Sequence, residues 1–227
     1  MAMAMEQQNH HYDLEATIRE RHSTRKFHST PVPRALLMEA LSLAQCAPSN
    51  SNIQPWHLFI AEGVRRDRLK EALLTECKRA PPTVPLLPEE FKHYRQELGA
   101  KVYGSMGIAR EDKQGRAVAV MRNWEFFGAP VVAIVCLHQD LGWADAMSVG
   151  MYVQTLLLGL TARGLGSCCE VSLAAYPDII RKELGIPPEL VIICGVAIGY
   201  TDFDFPANRL RVERAPVEHN VAILDSD

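Results

Sequence analysis

From Ala146 to Ala162 the chain carries no charged side chain, and Met147, Val149, Met151, Val153, Leu156, Leu157, Leu158 and Leu160 place apolar groups almost all the way round a helix. A helix of that kind must be enclosed by its own domain or packed against a second chain. It is about one turn short of a bilayer span and contains Ser148, Gln154 and Thr155, so it reads as a buried helix and not a membrane anchor. A chain of 227 residues holds one sizeable core and little room to enclose such a helix completely, which favours a dimer.

The rest of the pattern says what surrounds it. Val131 to Leu137 and Leu190 to Gly199 are continuous β-branched runs, the signature of strands covered on both faces, and His57 to Ala61 reads as a first short strand. Asp13 can cap a helix carrying Leu14 and Ile18, and Leu36, Leu37, Leu41 and Ala44 mark a second helix ending before Pro48. Arg65 to Lys78 looks helical, Pro81, Pro82, Pro85 and Pro88 form a rigid connection, and Glu89 to about Tyr103 resumes as helix. The expected architecture is α+β in a single domain, 1–227: a small central sheet, a long buried helix, and a tail after Tyr200. Residues 1–12 are expected to be a flexible tail. Residues 81–116 read as an excursion from the core that either covers a site or decorates the surface.

A formal net charge of -3 gives no electrostatic footing for a nucleic-acid partner. The start, Met1 to His11, lacks the apolar core of a secretory signal, so the six cysteines are read as reduced and the protein as cytoplasmic. Cys136 and Cys194 lie in apolar runs and read as core. No cysteine spacing suggests zinc, and His10-His11 reads as solvated tail, so no metal is expected.

Four segments could carry chemistry. Arg21-His22-Ser23-Thr24-Arg25 offers two guanidinium groups and two hydroxyls, a set suited to a phosphate monoester; the alternative is a solvated basic helix end. Pro48-Ser49-Asn50-Ser51-Asn52, continuing through Gln54 to Trp56, is a stiff loop whose amides and hydroxyls can read the edge of a flat heterocycle, or form a plain turn. Gly164 to Glu170 follows the apolar helix, with glycines fit to cap it and main-chain N–H groups to offer; Cys168-Cys169 reads as two packed thiols in preference to a strained disulfide. Asn208, Arg209, Arg211 and Arg214 lie in the tail. They form a second clamp only if the tail folds back onto the first helix.

Taken in order, RHSTR, APSNSNIQPW, the glycine segment and NRLRVERAP resemble the FMN-dependent nitroreductase family, over nearly the whole chain from Asp13 to Val221. The resemblance implies a mainly antiparallel sheet flanked by helices in an intertwined homodimer. It implies that Arg21, Ser23 and Arg25, with His22 beside them, hold the FMN phosphate together with Arg214, whose Arg214-Ala215-Pro216 matches the family ending; Arg211 is a second candidate. It also implies that Pro48, Ser49, Asn50 and Asn52 reach the flavin from the other subunit, at the dimer interface, and that Cys169 and Glu170 act through the main chain near flavin N5. No side chain is assigned as a catalytic acid or base. The implied activity is ping-pong hydride transfer from NAD(P)H to a small nitroaromatic or quinone-like acceptor. The excursion, with Tyr103 to Gly107, resembles a nitrobenzoate-reducing branch. Relatives acting as dehalogenases or enone reductases, and a non-catalytic flavin-binding dimer, are the alternatives.

Overall fold

The computed structural model describes residues 13–82 and 86–224. The expectations for residues 1–12, His10-His11 among them, and for Pro85 lie outside the described residues.

Four strands form one antiparallel sheet in the order β1-β2-β4-β3. β1 (His57–Glu62), β2 (Val131–His138) and β4 (Leu190–Gly199) are the three runs expected from hydrophobic pattern. β2 is buried along nearly its whole length because both faces are covered. Its residues Val132, Ile134 and Cys136 face one core, with Leu69, Leu73, Trp124, Phe126, Leu173 and Ile180. Val131, Ala133, Val135 and Leu137 face the other, with Leu37, Ala40, Tyr152, Leu156 and Leu160. Helices α1 (Leu14–Glu20) and α2 (Arg34–Ala44) precede the sheet in sequence; α3 (Gly63–Arg79) and α7 (Pro177–Leu184) pack on the first face, α2 and α6 (Trp143–Thr161) on the second. β4 contains a bulge: Val135 pairs with Cys194 but Cys136 with Ile192, leaving Ile193 over.

β3 (Gly166–Glu170) adds a strand where the sequence reading saw only a glycine segment capping the apolar helix. GSCCE has weak strand character, and its conformation comes from pairing, Cys168 with Ala197 and Cys169 with Val196. Gly164, at φ 72, ends the α6 segment as expected of a left-handed cap. A side chain at Gly166 would collide with the hydroxyls of Thr24 and Thr201, so glycine there lets the N-terminal segment lie against the strand. Cys168 and Cys169 are two thiols and not a disulfide, as expected, but strand alternation sets them on opposite faces, Cys168 buried and Cys169 exposed, and all six thiols are free.

Two further expectations, for α1 and for Trp56, are revised, and the incomplete enclosure expected of α6 is found. Asp13 does cap α1, its Oδ1 accepting the Ala16 N–H at 2.7 Å, but Leu14 and Ile18 are exposed and only Thr17 is buried. α6 is not enclosed on all sides: Val149, Tyr152, Leu156 and Leu160 are buried, whereas Trp143 is 84% and Met147 57% exposed. One sheet face and the neighbouring helices α1 and α2 cover only part of its circumference. Trp56 belongs to the core, stacked on Tyr152 with ring centroids 4.7 Å apart and donating Nε1–H to Gln45 at 3.0 Å. Among the described residues no helix is long and apolar enough to cross a membrane.

Candidate active site

The segment after α1 leaves the helix at Arg21 and runs along the outer edge of β3. The Thr24 N–H donates to the Ser167 carbonyl at 2.9 Å, and Phe27 bridges to Thr201. The tail after β4 returns to the same place. A short 3-10 turn, Pro206–Arg209, puts Asn208 into the interior, and from there the chain crosses back to α1, where Arg211 pairs with Glu20 at 3.1 Å. The fold-back that the second clamp required is therefore present.

Between these segments lies a cleft of ≈ 850 Å³. Arg21, His22, Ser23, Arg25, Arg211 and Arg214 line it, with Gln154 from α6 and Leu98 from α4 (Lys92–Ser105). Arg211 is matched by Glu20. Arg21, Arg25 and Arg214 have no carboxylate partner among the described residues: Arg25 reaches the Ser23 carbonyl at 3.1 Å and Arg214 the Val212 carbonyl at 2.6 Å. Burial first, and Arg214 second, depress the proton affinity of the Arg21 guanidinium. Cations gathered without counter-charge form a site for an anion, and forked guanidinium donors suit a phosphate. Ser23 adds a hydroxyl. His22 is held neutral chiefly by burial; its Nδ1 meets the Glu20 carbonyl at 2.8 Å, while Nε2 is buried with no partner.

Cys169 and Glu170 lie on the strand beside this segment. The Ser167 carbonyl points away from β4, toward Thr24, and strand alternation turns the Cys169 main chain to the same outer edge. The Glu170 main chain turns toward β4 instead. Its side chain is 2% exposed, and neither carboxylate oxygen has a partner. Burial, then Cys169, raise its pKa well above the ordinary carboxyl value.

Pro48, Ser49, Asn50 and Asn52 do not line the arginine cleft. Their loop sits at the start of α6, where the Asn50 N–H donates to Ser148 Oγ at 3.2 Å and its amide to Asp145 at 3.4 Å. Ser49 Oγ accepts the Gln54 N–H at 3.0 Å, and Ser51, Asn52 and Gln54 all have positive φ. The loop is held rigidly and its tip is exposed. The excursion borders the cleft: besides Leu98, its residues Val102, Tyr103 and Met106 line a ≈ 110 Å³ pocket that shares Arg25 and includes Ala119, Arg122, Asn123, Phe127 and Phe205. Sequence reasoning missed Arg122 and left Asn208 without a role. No spacing signal marks either, since their partners are distant in sequence. No group of three or more His, Cys, Asp or Glu among the described residues is placed to hold a metal ion.

Fold and cleft together define an α+β protein with a cationic cleft beside the edge strand of a small antiparallel sheet. The chain belongs to the nitroreductase family, whose profile matches residues 18–200. It is 32% identical over 224 residues to a 4-nitrobenzoate reductase of Nocardioides sp. (strain LMS-CY), covering 94% of this chain and 91% of that protein. Among solved structures it resembles the FMN and NADPH-dependent nitroreductase NfnB from sphigopyxis sp. strain HMH, with a TM-score of 0.91 and 31% identity over 95% of this chain and all of that one (100%). It also resembles the FMN-dependent NfnB of Mycobacterium smegmatis solved with NADPH, with a TM-score of 0.88 and 33% identity over 93% of this chain and 97% of that one.

Proposed function

We propose that this protein is an FMN-dependent NAD(P)H oxidoreductase that reduces nitroaromatic or quinone-like acceptors. The observation that carries this reading is the convergence of Arg21, Arg25 and Arg214, without carboxylate partners, on one cleft of a nitroreductase-family chain. The donor set fits a phosphate monoester. Arg21, Ser23, Arg25 and Arg214 hold the FMN phosphate, Arg211 fixes Glu20 at the rim, and neutral His22 packs beside them. The outward N–H of Cys169 is the main-chain donor offered to the ring system; Glu170 contributes through the strand that carries it. When bound, FMN supplies two-electron transfer between a nicotinamide and an acceptor. One pocket receives donor and acceptor in turn, so initial-rate kinetics are ping-pong.

The functional unit is a homodimer. In one chain α6 leaves Trp143 and Met147 exposed, and residues 211–224 are exposed throughout, Val217, Val221, Ile223 and Leu224 among them. Large apolar groups exposed together mark an interface. In the dimer the Pro48, Ser49, Asn50 and Asn52 loop of one copy reaches the flavin of the other, and residues 86–116 of the excursion wall the acceptor side with Leu98, Tyr103 and Met106. Each chain acts as a single domain, and its free thiols suit the reducing cytoplasm.

The test is a visible spectrum of the purified protein, taken anaerobically before and after NADPH, followed by turnover of a nitroaromatic. Flavin bands that bleach on addition and recover with the nitro compound are expected. Absence of flavin bands even after incubation with FMN removes the cofactor assignment; flavin that neither NADH nor NADPH reduces removes the enzymatic one.

A further inference from the structure

Arg25 stands in the cleft on an unusual support. Although its neighbour Thr24 bonds to β3 through the main chain, both main-chain bonds found at Arg25 are made to side chains from distant segments. Its N–H donates to Asn208 Oδ1 at 2.6 Å, and its carbonyl accepts from the Arg122 guanidinium at 2.8 Å. Asn208 is fully buried, and its amide also donates to the carbonyls of Lys26 and Asp202, each at 2.8 Å. Its three side-chain bonds thus tie the Arg25 segment to the turn after β4. Arg122 lies over the Phe205 ring at 4.4 Å, and Phe205 in turn begins the turn that carries Asn208, its carbonyl accepting the Asn208 N–H at 3.0 Å. Asn208 and Arg122 therefore grip one residue from two sides and touch each other through Phe205. The tail that leaves Asn208 carries Arg211 and Arg214, so the same joint sets the spacing between the two groups of cationic side chains.

We infer that Asn208 and Arg122 are positioning residues: they brace Arg25, and through the turn also Arg214, at the spacing that the phosphate group of the flavin requires. This rests on the cofactor reading above and adds the residues that give the cleft its dimensions. Neither residue need touch the flavin. A clamp for a phosphate depends on where its guanidinium groups stand, and a displacement of Arg25 weakens a charge-assisted, directional contact more than it weakens packing around a flat ring.

The consequence is selective for the phosphate. Apoprotein, refilled with FMN or with riboflavin, gives two dissociation constants whose ratio measures what the phosphate contributes. Wild type is expected to favour FMN strongly. Asn208→Ala and Arg122→Ala should each reduce that ratio about tenfold, with riboflavin affinity little changed, and Arg122→Lys should recover part of the loss by restoring a donor to the Arg25 carbonyl. A structural role alone would weaken both ligands together and leave the ratio intact; that result overturns the brace, as does an unchanged FMN affinity in both variants. Should Asn208→Ala fail to fold, Arg122→Ala carries the test, because its side chain is half-buried and its loss leaves no cavity in the sheet core. Wild-type protein that does not distinguish FMN from riboflavin would instead overturn the phosphate reading itself, a result separable from failure of the brace.

Discussion

The arginine cleft and the Pro48–Trp56 loop are both built from short polar segments, yet each is held in a different way. At the cleft, segments far apart in sequence converge: β3 bonds Thr24, Asn208 and Arg122 hold Arg25, and Glu20 pairs with the returning Arg211. The loop is fixed mainly from within and by the start of α6, with Ser49, Ser148 and Asp145 as its supports, and its tip points to solvent at positive φ. Backbone strain persists where the surrounding structure over-determines it. The cleft is assembled from segments of one chain; the loop, under the proposal above, is presented to the cleft of a second copy.

The comparison breaks most readily at the dimer. Met147 is exposed in a single chain, so Met147→Glu costs the monomer little but buries an unpaired charge in the proposed homodimer, at about 3 kcal/mol or more. Sedimentation should find monomer with depleted flavin, and an intact dimer at full flavin content would detach the loop from the cleft. Next in size, Arg21→Ala removes a charged contact inside the cleft and should weaken FMN by about ten- to a hundredfold, measured by flavin titration; retained affinity would take Arg21 out of the site.

Glu170 gives a smaller effect with a direction set by pH. Its folded pKa is raised, so the stability it contributes is fully present below the unfolded value of about 4.3 and is lost as pH rises through the folded value. Apoprotein thermal melts should show Glu170→Gln gaining on wild type as pH rises above that point. A pH-independent difference would mean that the carboxyl finds a partner. The smallest change sharpens the loop side: Ser51→Gly removes a side chain from a left-handed conformation and should stabilise the fold by about 0.5 kcal/mol. It should also loosen the tip, raising the KM for acceptor if the loop serves the neighbouring site.

Much of this was legible in the sequence because it rests on local pattern. β2 and β4 announce themselves as unbroken apolar runs, α6 by its missing charges, and the α1 cap by Asp13. β3 was not legible, since Gly166 to Glu170 becomes a strand only because β4 offers a free edge. That one chain would not enclose α6 completely was legible from its all-round apolar pattern, but only packing tells which of its residues are left exposed, Trp143 and Met147 among them. In the cleft, arginine and serine could be picked out by chemical type. Asn208 and Arg122 could not, because their importance lies in which main-chain groups they reach, across 183 and 97 positions of sequence.

The bulge in β4 has a bearing on how this chain can change length. Leu190 and Ile192 face the core of α3 and α7, while Ile193 and Cys194 both lean toward that of α2 and α6, after which regular alternation resumes at Val196 and Ala197. Ile193 is thus a spare position: deleting it would leave every other side chain of the strand on its present face and merely straighten the ribbon. A deletion between Gly195 and Gly199 would instead turn one part of the strand inside out, exchanging its allegiance between the two cores. Length variation in this strand should be tolerated at a single place, and related chains one residue shorter here should have lost the bulge and kept the fold.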